Sequence, residues 1–193
     1  MTQGIILAGG RSERASTNKL LFTVGGRILL EHALDAMRPF VRETVIVTGA
    51  HHASVVDRFR EREDVLIAYN PDYREGMFTS VLCGAKVAKE DVFILPADCP
   101  FVAGATYAKL LGGTAEIRVP RHQGRLGHPI WLSASIRETL ANQAADTNLK
   151  AFRDRIGFEC IDTDDAEVLS DLDTAQDLED KKLKYERTDG HED

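Results

Sequence analysis

The sequence of 193 residues lacks a long apolar run, and cysteine is scarce. No stretch approaches the roughly 20 apolar residues that a transmembrane helix requires, so we expect no membrane contact. The three cysteines, Cys83, Cys99 and Cys160, are an odd number without a C-x-x-C spacing. This argues against a disulfide framework and against a cysteine metal site. The N-terminus also lacks a basic region and a signal cleavage site, so the expected location is the cytoplasm.

Positive charge is also in short supply. The formal net charge is -7 at pH 7, and the isoelectric point is near 5.4. A nucleic-acid-binding surface normally presents a basic patch that contacts phosphates, so we expect no nucleic-acid partner. Any phosphate ligand must therefore be bound by a local cluster of cations and backbone amides.

Short apolar stretches recur along the chain and predict strands. They are GIILA (4–8), TVIVT (44–48), VLIAY (65–69), VFILP (92–96), AEIRVP (115–120), HPIWLS (128–133) and FECID (158–162). Amphipathic helical patterns lie between the first five, an alternation that is typical of a mostly parallel sheet covered on both faces. We therefore predict a three-layer α/β/α, Rossmann-like doubly wound domain over residues 1–186. The charged residues 187–193 are predicted to be a disordered tail.

The first predicted strand runs directly into GGRSERASTNK. Gly9 and Gly10 allow a tight turn in which backbone N–H groups approach an anion, and Arg14 and Lys19 add positive charge. The spacing matches neither G-x-x-x-x-G-K-[ST] nor G-x-G-x-x-G. We interpret the segment as a phosphate-binding loop, although a simple strand-to-helix turn with solvated cations is the alternative.

Carboxylates occur at two points where metal binding is plausible. The strand VFILP is followed by Asp98, at the sheet edge where α/β proteins bind ligands. A carboxylate there suits Mg²⁺, but Asp98 is equally suited to cap a helix that begins near Ala103. In SDLDTAQDL, Asp171 or Asp173 is a candidate second metal ligand, and capping of the next helix is the alternative.

Two further segments carry candidate binding residues. NPDYREGMFTSVLCG contains Gly76 and then Ser80 at a predicted helix start, whose amides and hydroxyl groups suit a base or ribose. In GRLGHPIWL, Gly127, His128 and Pro129 form a candidate acceptor pocket. His128 suits acid–base chemistry, but a structural role for a loop histidine is the alternative.

These motifs, in this order and over nearly the whole chain, resemble the nucleotidyltransferases that activate the molybdenum cofactor, the MobA-like NTP transferases. The family pattern L-A-[AG]-G-x-S-x-R…K is matched by LAGGRSERASTNK, and A-D-x-P is matched by ADCP. The first match implies a set of nucleotide-binding residues: Leu7, Ala8, Gly9, Gly10, Ser12, Arg14 and Lys19. The later segments are more similar to the cytidylyltransferase branch. The A-G-G in the first motif is commoner among guanylyltransferases, and Ala15 and Ser16 replace the usual Met and Gly.

The resemblance implies transfer of a nucleoside monophosphate, CMP from CTP with GTP as the alternative, to a phosphorylated acceptor such as molybdopterin, with release of pyrophosphate. It implies Arg14, Lys19 and Asp98 as catalytic residues, Mg²⁺ as cofactor, and a molybdoenzyme or maturation protein as a partner. An acceptor other than molybdopterin remains open, and so does a non-catalytic nucleotide-binding or cofactor-chaperone role. An NAD-dependent oxidoreductase lacks support because the dinucleotide fingerprint is absent.

Overall fold

The computed structural model describes residues 1–9, 22–172 and 175–189. One eight-stranded sheet forms the centre of the molecule, with strand order β10-β7-β9-β6-β1-β4-β5 and β8 paired to β7. Its strands are β1 (Thr2–Ala8), β4 (Thr44–Thr48), β5 (Val65–Tyr69), β6 (Asp91–Pro96), β7 (Ile117–His122), β8 (Arg125–Leu126), β9 (Ile130–Leu132) and β10 (Glu159–Asp162). A separate hairpin consists of β2 (Thr23–Val24) and β3 (Arg27–Ile28).

The sheet is parallel through its centre. In β1, Ile5 lies beside Val45 of β4 on one side and Ile94 of β6 on the other, and both pairings are parallel. β9 is antiparallel to both of its neighbours, β6 and β7. The carboxyl ends of β1, β4, β6 and β7 therefore share one edge of the sheet, which is where ligands bind in folds of this kind.

Helices cover both faces of the sheet. They are α1 (Leu29–Met37), α2 (His52–Phe59), α3 (Met77–Val87), α4 (Gly104–Leu111), α5 (Ala134–Ala141), α6 (Leu149–Ile156) and α7 (Ala175–Asp189). Neighbouring residues of β1 point to opposite faces, so Ile6 belongs to one core cluster with Leu34 of α1, and Ile5 belongs to another with Val81 of α3. Two separate cores on one sheet confirm the predicted three-layer α/β/α arrangement.

A third, smaller group of apolar side chains lies beside the main cores. We call it the C-terminal cluster: Val24, Leu29, Leu172 and Leu178, with Phe22 and Phe101 packed against it. It connects the β2–β3 hairpin to the start of α7. Its four central members are at most 5% exposed, so it is a genuine satellite core.

The structure corrects several predicted boundaries. The stretch predicted as a strand at 115–120 is β7 at Ile117–His122, and helices α5 and α6 were not predicted. Both are eight residues long, and the signals that mark them are their N-caps: Ser133 accepts a hydrogen bond from Ile136 N–H, and Asn148 accepts one from Ala151 N–H.

The predicted start of a disordered tail at residue 187 is too early, because α7 continues to Asp189. The physical reason is that Glu and Arg are good helix formers even where charge leaves no apolar periodicity. Residues 190–193 of that predicted tail lie outside the described part of the chain. None of the helices that the structure describes is long and apolar enough to cross a membrane.

Candidate active site

A cavity of about 380 Å³ opens at the carboxyl edge of the central strands. It is lined by Leu7, Gly9, Tyr73, Arg74, Gly76, Met77, Ser80, Pro96 and Asp98. Five of these residues were predicted from the sequence as nucleotide or metal ligands, and they come from three separate segments of the chain. We call this space the donor cavity.

Gly9 directly follows β1 and forms part of the wall of the donor cavity. A Cβ atom at Gly9 would lie 2.7 Å from Oγ of Ser80, so only glycine allows β1 to approach α3 this closely. Ala8 precedes it as the last residue of β1 and is buried. The remaining predicted residues of this loop, Gly10, Ser12, Arg14 and Lys19, lie outside the described residues.

The start of α3 forms the opposite wall. Gly76 precedes the first residue of the helix with φ of 124° and ψ of 168°, a backbone conformation that other residues rarely adopt. The first N–H groups of a helix have no partner within it and carry partial positive charge, so they suit an anionic or polar ligand. The predicted nucleotide residues Gly76 and Ser80 therefore lie at this cavity.

Sequence reasoning missed Asn70, which holds this wall in place. Its amide is buried and donates to the hydroxyl oxygens of Thr79, at 2.8 Å, and of Ser80, at 2.9 Å. Its carbonyl oxygen accepts from the N–H of Asp72 at 3.0 Å. Thr79 also donates to the carbonyl of Gly76 at 2.8 Å. The hydroxyl of Thr79 is therefore engaged within the protein, whereas Ser80 also faces the cavity.

Asp98 lies directly beyond β6 and reaches the donor cavity. The N–H of Ala97 donates to the carbonyl of Leu7 at 3.2 Å, which continues the β1–β6 pairing up to Asp98. The alternative capping role is not what the structure shows, because Asp165 serves the start of α4. Its Oδ2 accepts from the N–H of Ala103 at 2.9 Å and from the hydroxyl of Thr106 at 2.8 Å.

The segment that ends in Asp171 and Leu172 is bonded to the Asp98 loop. The N–H of Leu172 donates to the carbonyl oxygen of Asp98 at 3.2 Å. This contact brings Asp171, which is exposed, next to that loop. Asp173, the alternative ligand, lies outside the described residues. The described ranges contain no group of three or more His, Cys, Asp or Glu side chains poised for a metal.

A second cavity of about 340 Å³ adjoins the first. Its walls are mostly apolar, with a polar side that consists of His128, Asn148, Lys150 and Arg153. Leu7, Met77 and Pro96 line both cavities and separate them. We call this space the acceptor cavity, because it contains His128 of the predicted acceptor pocket.

Gly127 and Pro129, the other two residues of that predicted pocket, do not lie at the acceptor cavity. A Cβ atom at Gly127 would lie 2.2 Å from the carbonyl oxygen of Val168, so Gly127 is required for packing. Pro129 is buried and leads into β9. Neither is among the residues that line the acceptor cavity in the described part of the chain. Of the three residues, only His128 reaches the cavity.

His128 is held by its backbone, whose N–H donates to the carbonyl of Val168 at 2.8 Å. Burial lowers the pKa of His128 below its ordinary value, and the charge of Arg153 acts in the same direction, while Asp98 opposes both. The imidazole is therefore neutral at pH 7. Its Nδ1 is buried and has no hydrogen-bond partner among the described residues.

The cations of the acceptor cavity were also missed. Lys150 and Arg153 are three residues apart on α6, a spacing that places both on one helix face. Arg153 is 7% exposed. Its guanidinium lies 4.5 Å from the ring centroid of Phe158 and 2.7 Å from a carboxylate oxygen of Asp154. The available signal in the sequence was that Lys150 and Arg153 follow the N-cap residue Asn148 three residues apart, as on one face of a helix.

Comparison with known proteins gives one family and a consistent set of relatives. Residues 4–160 match the family model of the MobA-like NTP transferase domain. The chain is 26% identical over 184 residues to the molybdenum cofactor cytidylyltransferase of Escherichia coli, covering 94% of this chain and 95% of that protein. It is 31% identical over 157 residues to the molybdenum cofactor guanylyltransferase of Xanthomonas euvesicatoria, covering 78% and 77%.

Solved structures agree in fold. The Mycobacterium tuberculosis protein Rv0371c superposes with a TM-score of 0.79 at 25% identity, covering 94% of this chain and 97% of that one. A nucleotidyl transferase from Methanothermobacter superposes with a TM-score of 0.81 at 18% identity, covering 97% and 99%.

Proposed function

From the premise that the chain belongs to the MobA-like NTP transferase family and is a nucleotidyltransferase, we propose that it transfers CMP from CTP to a phosphorylated acceptor, with Mg²⁺ as cofactor and pyrophosphate as product. The acceptor that we propose is molybdopterin or the molybdenum cofactor. This choice rests on the names of the curated relatives, which are molybdenum cofactor cytidylyltransferases and guanylyltransferases.

The observation that carries the proposal is the pair of adjoining cavities. The donor cavity brings Gly9, Ser80 and Asp98 together from three segments, and the acceptor cavity begins on the other side of Leu7 and Pro96. A transfer between two bound molecules needs two sites that share a boundary, because the reacting atoms must come within about 3.5 Å of each other. A simple nucleotide-binding protein would need only the first.

In the proposed reaction, an acceptor phosphate oxygen attacks the α-phosphorus of the nucleotide and forms a new P–O bond. The bond from that phosphorus to the bridging oxygen breaks, and pyrophosphate leaves with the electron pair. Both reactants are anions, so the protein contributes mainly positioning and neutralisation of charge. We assign the neutralisation to Arg14 and Lys19 on the donor side, and to Lys150 and Arg153 on the acceptor side.

The residues at the carboxyl edge fit Mg²⁺. This ion takes one or two carboxylates and completes its coordination with water and substrate phosphates, so a cage of three protein ligands is not needed. Asp98 would hold it, together with Asp171 or Asp173, whose segment is bonded to the Asp98 loop. When bound, the metal supplies positive charge to the phosphate oxygens.

We propose that the neutral His128 orients the acceptor by hydrogen bonding. A neutral imidazole offers one donor and one acceptor nitrogen. Its position on the polar side of the acceptor cavity, beside Arg153, suits a ligand that combines an apolar body with an anionic group. A neutral histidine adds a directed contact there without adding charge.

The proposal is tested by calorimetric titration of the protein with CTP, GTP and ATP, each with and without Mg²⁺. We expect the tightest binding for CTP with Mg²⁺. Asp98→Asn should weaken that binding strongly, while Asp57→Asn, at an exposed position of α2, should leave it unchanged. In a pyrophosphate-release assay with the acceptor, Lys19→Ala should slow turnover about 10²- to 10³-fold.

The outcomes separate the parts of the proposal. Tightest binding of GTP would replace CTP as donor and leave the reaction intact. Equal nucleotide affinity in the Asp98→Asn and Asp57→Asn variants would remove Asp98 from the metal site. If no nucleotide binds under any condition, the donor-cavity assignment is wrong.

A further inference from the structure

The C-terminal cluster joins three segments of the chain, one of which is the loop that follows Asp98. Val24 belongs to the β2–β3 hairpin, which follows residues 10–21 in the chain. Phe101 lies in the loop after Asp98, and Leu178 lies on α7. α7 is thereby packed simultaneously against the loop that carries Asp98 and against the hairpin.

Polar contacts of Lys181 also hold α7 against the Asp98 loop. Nζ of Lys181 lies 2.5 Å from Oε1 of Glu167 and 4.6 Å from the ring centroid of Phe101. The side chain of Lys181 is only 14% exposed, so this ion pair is screened less than a surface pair. Glu167 belongs to the 3₁₀ helix Ala166–Leu169, whose Val168 carbonyl accepts the N–H of His128. One helix therefore contacts the supports of both Asp98 and His128.

Neither Leu178 nor Lys181 is among the residues that line the donor or acceptor cavity in the described ranges. We propose that α7 is a positioning element of the active site, in which Leu178 and Lys181 hold the Asp171–Leu172 segment against the Asp98 loop at the separation that Mg²⁺ requires. The inference rests on the proposed function, since it explains how the two carboxylate-bearing segments are kept together.

The physical reason is the packing of the segment that carries Asp171. Leu172 and Asp98 are joined by one backbone hydrogen bond at 3.2 Å, and Asp171 is exposed. A metal ligand on a segment that moves relative to the Asp98 loop would bind the ion less tightly. Burial of Leu172 and Leu178 in one cluster restricts that motion. Residues that orient metal ligands typically change metal affinity by 10- to 100-fold when they are replaced.

The experiment compares Leu178→Ala with Leu178→Met and with a matched control, Leu140→Ala. Leu140 is a fully buried leucine on α5 that belongs to the core on the opposite side of the sheet. Two quantities are measured at a temperature at which all variants are folded. They are the hydrogen-exchange rate of the Leu172 amide without ligands, and the Mg²⁺ concentration at half-maximal CTP binding.

We expect Leu178→Ala to accelerate exchange at Leu172 and to raise the half-saturating Mg²⁺ concentration about tenfold. Leu178→Met conserves the side-chain volume, so its exchange rate at Leu172 and its half-saturating Mg²⁺ concentration should be close to the wild-type values. Leu140→Ala should leave both at the wild-type value. If Leu178→Ala does not fold, Lys181→Met serves in its place, because it keeps the aliphatic packing and removes the charge that pairs with Glu167 and lies near the Phe101 ring.

A Leu178→Ala variant that exchanges at Leu172 and responds to Mg²⁺ as Leu140→Ala does would overturn the positioning role while the proposed function stands. A wild-type chain that binds no nucleotide would overturn the proposed function and the positioning role with it. The two failures are therefore distinguishable from the wild-type titration alone.

Discussion

Replacement of Asn70 by alanine should destabilise the protein and weaken nucleotide binding at the same time. Asn70 is 2% exposed. It joins the end of β5 to the start of α3 through hydrogen bonds to Thr79, Ser80 and the backbone of Asp72. Because Ser80 packs against Gly9 in the wall of the donor cavity, loss of these bonds reaches the site directly.

The magnitude follows from the number of bonds. Each intramolecular hydrogen bond contributes about 1 kcal/mol net, so loss of three gives about 3 kcal/mol. The hydroxyl oxygens of Thr79 and Ser80 each lose the hydrogen bond that Asn70 donates. Because both side chains are buried, water does not replace the lost bonds. For a chain of this length, about 3 kcal/mol corresponds to a fall in Tm of roughly 6–12 °C.

The assay is thermal unfolding of Asn70→Ala beside Asn142→Ala, followed by nucleotide titration below both transitions. Asn142 is exposed, and its amide donates only to the carbonyl of Glu138 at 2.9 Å, so its loss should cost less than about 1 kcal/mol. Equal Tm values for the two variants would refute the reasoning. A destabilised Asn70→Ala variant with wild-type nucleotide affinity would limit the role of Asn70 to stability.

Two further predictions concern the far end of the sheet. Arg118→Ala should lower the free energy of unfolding by about 2–4 kcal/mol in urea, because the guanidinium donates to the carbonyls of Leu110, Leu111 and Ala115 and lies 3.7 Å from the ring centroid of Trp131. Arg118→Lys should recover only part of this loss, and full recovery would contradict the role of the planar guanidinium. Hydrogen bonds from the backbone N–H groups of Ala115 and Thr114 hold the pKa of Glu159 below its ordinary value of 4.5. The stabilisation by the Glu159 carboxylate is therefore present above pH 4.5 and is lost as the pH falls through the lowered pKa. The Tm difference between wild type and Glu159→Gln should be largest at neutral pH and vanish in acid. A Tm difference that stays constant with pH would contradict this prediction.

The sequence predicted the centre of the sheet better than its outer half, and the reason is burial. β4 is buried at all five positions, and such strands form continuous apolar runs that stand out against the helices. The run that contains β9 is just as apolar, but an apolar run has the same appearance whether the strand is parallel or antiparallel. β9 is antiparallel to β7, and only the short segment that contains β8 connects the two strands. The apolar pattern does not contain this information.

Some site residues are placed by their connection to a buried strand, and these were predicted. Others are placed by packing between distant segments, and these were missed. Asp98 could be predicted because it follows a buried strand directly, and covalent connection alone takes it to the sheet edge. Asn70 precedes a proline and has the sequence context of an ordinary turn. Its role depends on Thr79 and Ser80, which α3 brings back to it from nine and ten residues further along the chain. A contact of that kind follows from the packing of α3 on the sheet.

Gly9 and Gly127 each have a packing role that their sequence motifs did not predict. Both were predicted as binding residues, and in both a Cβ atom would meet a neighbour at an impossible distance. At Gly9 the neighbour is Ser80, so the glycine shapes the wall of the donor cavity itself. At Gly127 the neighbour is the carbonyl of Val168, the group that also accepts the N–H of His128. Gly127 therefore packs against the same carbonyl that holds the backbone of His128, which lines the neighbouring cavity.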